Sequence, residues 1–215
     1  ESFFLRVAFF SDIHGNLPAL EIAIKEAENV DGYIVLGDVV NYGPWSNECV
    51  EMLETLPNCT KIRGNHEDYY IAGKCGSDNY LASEFFKYCY NDFKQSSSIQ
   101  TYESESQFED YMCTHTIGDK YIFEDTKINL DNNFVIGHSH RQYKICGNGY
   151  TLLNPGSVGQ NRQYINEINF LIYESSTQNV DFRSVLYDVN VVIDQMVKME
   201  FPEICLDYYR KKPRK

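Results

Sequence analysis

Phe9-Phe10-Ser11-Asp12-Ile13-His14-Gly15-Asn16 decides how this chain folds. An apolar run stops there at an Asp-x-His pair, followed by a glycine and an asparagine able to cap a helix. Phe3 to Phe10 is apolar apart from Arg6, the pattern of a strand buried on both faces of a parallel sheet. Beyond Asn16, Pro18 suits a first helical turn, and Leu17, Leu20, Ile24 and Ala27 share one helical face. Asp12 and His14 thus fall in the turn of a β-turn-α unit, where a carboxylate and an imidazole two residues apart can reach one metal ion.

The unit recurs. Gly32 to Leu36 is a second buried strand that ends in Gly37-Asp38-Val39-Val40-Asn41-Tyr42-Gly43-Pro44. Ser46 is placed to cap a second helix, with Cys49, Leu53 and Leu56 on its inner face. Thr60 to Arg63 forms a third strand that ends in Gly64-Asn65-His66-Glu67. Alternating strands and helices at this spacing predict a parallel sheet with crossover helices, whose sites form at the carboxyl ends of the strands.

Glu67 to Glu109 reads as a helical, aromatic-rich stretch from Leu81 to Phe93, then a polar surface excursion from Gln95 to Gln107. Tyr111 to His115 resumes a strand, and Phe134-Val135-Ile136 leads into Gly137-His138-Ser139-His140. From there the pattern changes to hairpins. One turns at Gly147-Asn148-Gly149, and a second joins Glu167–Glu174 to Val180–Tyr187. Asn154-Pro155-Gly156-Ser157 reads as a tight turn. A closing helix from Val191 to Met199 stops near Pro202, and residues 209–215 read as a frayed, solvated basic tail. One domain spanning 1–215 is expected, with 67–110 as a substrate-specificity insertion.

The chain has 215 residues and a net charge of −12, which argues against a general affinity for nucleic-acid backbones or anionic membranes. No apolar run approaches the roughly 20 residues needed to span a bilayer. The seven cysteines lack any Cys-x-x-Cys and suit the reduced thiols of a cytoplasmic protein. The first residue is Glu1, which leaves room for a preceding leader. Oligomeric state is not legible.

All five histidines follow apolar strands, in company with acids and an asparagine: Asp12, His14, Asp38, Asn65, His66, His115, His138 and His140. Singly, each has an ordinary structural explanation. Jointly they point to a metal or catalytic site.

In their order these elements resemble the calcineurin-like metallophosphoesterases, whose pattern is Asp-x-His, Gly-Asp, Gly-Asn-His-Glu/Asp, a separate His, then Gly-His-x-His. The stretch Gly37 to Pro44 and the turn Asn154-Pro155-Gly156-Ser157-Val158-Gly159 look most like the small YfcE-type phosphodiesterase branch. The resemblance implies a four-layer α/β/β/α sandwich of two mixed β-sheets flanked by helices. It also implies two divalent ions, one held by Asp12, His14, Asp38 and His140 and the other by Asp38, Asn65, His115 and His138. Imidazole, carboxylate and amide oxygen without thiolate suit Mn, Fe, Ni or Zn. Two such ions about 3.5–4 Å apart acidify a bridging water and clamp phosphoryl oxygens for in-line attack. His66, left without a ligand role, is expected to protonate the leaving oxygen or stabilise its charge.

Asn16, Asn154 and Ser157 are expected to touch substrate, with helix capping as an equal alternative for Asn16. Tyr42, Trp45, Tyr69 and Tyr70 sit near motif ends. They are placed to form a wall for a nucleoside or aryl group, and ordinary packing is the expectation. The expected activity is hydrolysis of small phosphodiesters or phosphomonoesters, a nucleotide being one candidate substrate. Protein phosphatases and dinucleoside-polyphosphate hydrolases typically continue the Gly-Asp motif with Asp-Arg-Gly, and that arginine is missing from Val39-Val40-Asn41-Tyr42-Gly43. A non-catalytic scaffold, like the retromer subunit of this fold, would have lost motif histidines that are intact here.

Overall fold

The computed structural model describes residues 5–215, so Phe3 and Phe4 of the expected first strand lie outside the described residues. Strand β1 (Arg6–Phe10) is apolar on both faces because both are covered. Val7 and Phe9 point into a core that also holds Cys113, Val135 and Leu153. Ala8 and Phe10 point the other way, into a core shared with Leu20, Leu53 and Val192.

The parallel half follows as expected: α1 (Leu17–Glu26), β2 (Gly32–Val35), α2 (Ser46–Thr55), β3 (Cys59–Lys61) and α3 (Asn65–Ala72). After α4 (Tyr80–Tyr90) and α5 (Ser96–Gln100), the chain enters β4 (Glu105–Phe108), β5 (Tyr111–Thr114) and β6 (Asn133–Val135). Two hairpins come next, β7 (Gln142–Gly147) with β8 (Tyr150–Pro155) and β9 (Glu167–Glu174) with β10 (Asn179–Leu186). The chain closes with α6 (Asn190–Lys198) and α7 (Glu203–Lys211). Among the described residues, no helix is long and apolar enough to cross a membrane.

The strands form two mixed five-stranded sheets, ordered β10-β9-β1-β2-β3 and β4-β5-β6-β8-β7. Strands β1, β2 and β3 are mutually parallel, as are β5, β6 and β8. The sheets pack face to face through Val7, Phe9, Ile34, Leu36, Leu171 and the second sheet's Cys113, Val135 and Leu153. Helices cover the outer face of the first sheet. The outer face of the second is closed by residues 116–132, whose Ile117, Ile122, Ile128 and Leu130 pack on Ile136, Tyr143 and Leu152. That covering segment contains no helix. The architecture is thus the expected α/β sandwich of two mixed sheets, with helices on the outer face of the first sheet and the irregular segment 116–132 as the outer layer of the second.

Several local expectations change. The polar stretch before Glu109 contains β4, which adds an antiparallel edge to the second sheet. Its Glu105 and Gln107 face solvent, and a half-polar edge strand gives little sequence signal. Asn154 and Pro155 belong to β8, and the chain turns only at Gly156 (φ 80°). The first hairpin does turn at Asn148-Gly149, both at positive φ, as a two-residue turn of this kind requires. Asn16 caps α1 through Ala19 N–H. Ser46 does not cap α2, because its hydroxyl accepts from Asn41 N–H at 3.0 Å.

The tail differs most. Pro202 starts a further helix, α7, whose Tyr209 is fully buried. Beyond it, Pro213 O accepts from Ile165 N–H at 2.9 Å and Lys215 N–H donates to Asn166 Oδ1 at 2.9 Å. The basic residues 209–215 are therefore pinned to the body, not frayed.

Candidate metal centre

Each parallel strand stops short of a loop that turns its polar side chains inward. Asp12 (φ 51°), His14 (49°), Asp38 (54°), His138 (67°) and His140 (56°) have left-handed backbone, which costs a non-glycine residue roughly 1–2 kcal/mol. Such strain persists where the surroundings over-determine it. Here the loops brace one another. Asp12 N–H donates to Gly37 O at 3.0 Å, His14 N–H to Asp38 O at 2.9 Å and Gly137 N–H to His115 O at 3.0 Å. Loops this close need residues without side chains. A Cβ on Gly64 would stand 2.2 Å from Asp38 Oδ1, and one on Gly137 would stand 1.8 Å from Ser11 Oγ.

The bracing gathers two groups of ligand atoms. Asp12, His14 and His140 form one, and Asp38, His115 and His138 form another. Asp38 lies between them, with Oδ2 3.9 Å from His14 Nε2 and 3.2 Å from His115 Nε2. Asn65 Oδ1 joins the second group, 3.1 Å from His115 Nε2. Every residue expected to bind metal is therefore at one end of the sandwich, and all are buried except the partly exposed Asn65.

The donor set fits divalent cations on three counts. Asp12 Oδ1 is buried without a hydrogen-bond partner. The Nδ1 atoms of His14, His140 and His115 face the carbonyls of Val40, Gln160 and Leu36 at 3.0, 2.6 and 2.6 Å. Carbonyls only accept, so each Nδ1 carries a proton, and the neutral rings of His14 and His140 offer the Nε2 lone pair inward. His14 Nε2 and His140 Nε2 then face each other at 3.2 Å as two lone pairs, an arrangement a shared cation relieves.

Electrostatics agree. Burial, then His66, bring His14 down to about 3, and burial, then His115, bring His138 down to about 4. Burial, then Arg162, hold His140 well below the usual imidazole range. These rings are neutral at physiological pH, the form that ligates metals. Burial pushes Asp12 up to about 7. Burial opposes the charge on His115 too, but Asp38 outweighs it and raises that ring to about 10. Without an ion, His115 supplies the positive charge that offsets Asp38.

His66 lies beside both groups without joining the two described. Its backbone N–H donates to Asp38 Oδ1 at 2.9 Å, and its ring stands edge-on to His14 at a centroid distance of 4.9 Å. Asn41 Nδ2 donates to His66 Nδ1 at 3.0 Å, which leaves the ring proton on Nε2. His66 can also be grouped with His14 and Asp38 as a ligand set, so proximity alone does not separate ligation from acid catalysis.

The sequence profile of the calcineurin-like phosphoesterases matches residues 5–173. The chain belongs to that family. It is 27% identical to an uncharacterized protein of Methanocaldococcus jannaschii, over 92% of this chain and 94% of the relative. Its structure is similar to that of a metallophosphoesterase from Sphaerobacter thermophilus, with a TM-score of 0.80, 25% identity and coverage of 96% and 98% of the two chains. The phosphoesterase YfcE of E. coli shares the fold at a TM-score of 0.51 and 20% identity, over 86% of this chain and 100% of that one. This calcineurin-like phosphoesterase is a phosphoester hydrolase of a metal-dependent family, with candidate Asp/His metal groups in place.

The three residues expected near substrate have buried partners within the phosphoesterase, and Asn16 takes its alternative role as a helix cap. Asn16 spends its amide on Gly159 O and Tyr187 Oη, both at 2.9 Å. Asn154 Nδ2 donates to Gly137 O at 2.9 Å and Ser139 Oγ at 3.1 Å, while its Oδ1 accepts from Gly156 N–H. Ser157 Oγ donates to Asp12 O at 2.7 Å and accepts from Gln160 N–H. All three are fully buried braces that hold the ligand loops in place. Of the four aromatic residues, Tyr42 and Tyr69 line a cavity with His66, whereas Tyr70 packs on Phe86, Tyr90 and Phe93. Trp45 packs against the helix-side core.

Two residues that matter were given no role from the sequence. Glu67, fully buried, accepts Asp38 N–H and Gly64 N–H on one oxygen (2.8 and 2.7 Å) and Val39 N–H and Val40 N–H on the other (2.8 and 3.2 Å). Burial, then Asp38, push its carboxyl up to about 7. All four bonding neighbours are donors, so the anion is the form its pocket fits. Its position next to His66 in the motif was the available signal. Arg162 is the other, half-buried beside the site and 5.6 Å from the Tyr121 ring centroid. It lies in a loop after Gly159, far in sequence from the other site residues.

Proposed function

We propose that this chain is a dinuclear-metal phosphoesterase acting on small phosphodiesters or phosphomonoesters. The observation that carries this is the position of Asp38, whose carboxylate lies between two Asp/His groups and can serve both. Asp12, His14, Asp38 and His140 would hold one ion, and Asp38, Asn65, His115 and His138 the other. Mn, Fe, Ni or Zn all suit this donor set. Bound there, divalent ions supply charge neutralisation for phosphoryl oxygens and a nucleophile at neutral pH.

The chain's own residues do the rest. The carbonyls of Val40, Leu36 and Gln160 fix three ring orientations before any ion arrives. Asn41 keeps the His66 proton on Nε2, where it is available to a leaving oxygen. The whole chain 1–215 acts as one domain, residues 67–110 contribute to substrate choice, and the free cysteines suit a cytoplasmic setting.

His66→Ala tests the assignment. Metal content stays at two ions while turnover of p-nitrophenyl phosphate or its bis ester drops about 10²–10⁴-fold. Full metal occupancy with unchanged kcat would refute the role given to His66. Absence of hydrolysis by the intact protein with every metal would favour a metal-binding scaffold instead.

A further inference from the structure

His66 also lines a cavity of about 280 Å³ that contains Tyr42, Tyr69, Tyr121, Arg162 and Lys212. If His66 protonates the leaving oxygen, the leaving group occupies this cavity. Its charge is unusual for a chain carrying 31 acidic and 19 basic residues. Three other basic side chains of α7 and the tail have acidic partners, Arg210 with Glu203 at 2.7 Å, Lys211 with Asp207 at 2.5 Å and Lys215 with Glu167 at 3.4 Å, and Arg214 donates to Asn190 Oδ1 at 3.2 Å. Arg162 and Lys212 pair with no carboxylate among the described residues. Each lies by a tyrosine ring instead, Lys212 Nζ 4.8 Å from the Tyr208 centroid and Arg162 Cζ 5.6 Å from that of Tyr121. A ring face attracts a cation but does not neutralise it, so both positive charges remain for an anion to meet.

The two cations also oppose each other. Burial, then the charges of Arg162 and Arg141, lower the pKa of Lys212. Lys212 is nonetheless held where it is. The bonds of Pro213 O to Ile165 N–H and of Lys215 N–H to Asn166 Oδ1 anchor the chain just beyond it. A pinned pair of like charges facing one cavity is relieved by an anion between them.

We infer that this cavity binds a leaving group carrying a second phosphoryl group, held by Arg162 and Lys212, with an aromatic ring against the tyrosines. This deepens the proposed function and rests on it. The substrate class is a nucleoside bearing phosphates at two separate positions. Water adds to the scissile phosphorus, the P–O ester bond breaks, and the His66 proton goes to the departing oxygen. The products are inorganic phosphate and a nucleoside monophosphate.

The test compares adenosine 3′,5′-bisphosphate, adenosine 5′-monophosphate and p-nitrophenyl phosphate on the manganese-loaded protein. The expected result is a kcat/KM for the bisphosphate at least tenfold above that for the monophosphate, with the preference lost through KM in Lys212→Met and in Arg162→Gln. Calorimetric binding of the bisphosphate to His66→Ala, with and without Lys212→Met, reads the subsite without turnover, and a tenfold weaker Kd is expected in the double variant. Turnover of p-nitrophenyl phosphate without preference for the bisphosphate overturns the inference alone. Loss of all three activities in the intact protein overturns the proposed function, and the calorimetry then decides the subsite: equal Kd in both backgrounds overturns it.

Discussion

Glu67→Gln removes one anionic oxygen from the point where three loops meet. The carboxylate accepts four N–H groups at 2.7–3.2 Å, from Asp38, Val39, Val40 and Gly64. Glutamine keeps the shape but turns one acceptor into a donor, so two of those bonds are lost and two donors face an NH2 group. A hydrogen bond to a charged group contributes about 1.5–3 kcal/mol, so two lost bonds amount to about 3–6 kcal/mol. That is a large share of the roughly 5–15 kcal/mol that stabilises a typical fold. For a chain of this size each kcal/mol shifts Tm by about 2–4 °C, which predicts a fall of roughly 6–24 °C. The assay is thermal unfolding of the metal-free protein at pH 8, above the value near 7 to which Glu67 is pushed. Metal titration of the same variant should show weakened binding at both groups together, because the loosened loop carries Asp38. A Tm within about 2 °C of the parent, with unchanged affinity for both ions, would show that the four bonds do not organise the centre.

Asp12→Ala should reduce metal content from two ions to one, since Asp12 belongs only to the group with His14 and His140; equal loss of both ions by elemental analysis would mean the ligands are divided wrongly. Adding a binding divalent ion at about 100 times its Kd should stabilise the fold by about 2.7 kcal/mol, visible as a rise of roughly 5–10 °C in Tm and reversed by chelation. Asn154→Ala should cost stability, about 1–3 kcal/mol for the buried partners it leaves, while KM for p-nitrophenyl phosphate holds. A raised KM with unchanged Tm would restore Asn154 as a substrate contact.

The half of the molecule that builds the centre was legible because its strands are buried on both faces. Such strands appear as unbroken apolar runs, Phe9-Phe10 or Ile34-Val35-Leu36, so the polar residue that ends each run stands out. Chemistry then added the rest, since histidine, aspartate and asparagine at five such ends have few shared uses. Polar residues that brace loops carry the same signature, as the buried hydrogen bonds of Asn154 and Ser157 show. Nothing in the chain's local pattern distinguishes an asparagine that touches substrate from one bonded to Gly137 O and Ser139 Oγ. Arg162 and Lys212 were invisible for a different reason. Lys212 reaches the His66 cavity because α7 packs under Tyr42, with Tyr209 Oη donating to Tyr42 O at 3.2 Å, and Arg162 because its loop is tied to the centre by Gly159 N–H donating to Asp12 O at 3.1 Å; no spacing encodes such long-range contacts.

Strain and electrostatics at the centre lead to one physical consequence. Five of the proposed ligand residues, Asp12, His14, Asp38, His138 and His140, sit in left-handed backbone, and two imidazole lone pairs face each other at 3.2 Å. Neither cost is recovered within the metal-free protein, where His115 provides the main positive charge at the Asp38 carboxylate. Interlocked loops, Glu67 and the Asn154 and Ser157 braces hold that arrangement before any ion binds. Ordering is therefore completed during folding, and little conformational entropy remains to be lost on metal uptake. An ion binding here also displaces the proton on His115, so uptake should release protons and tighten as pH rises.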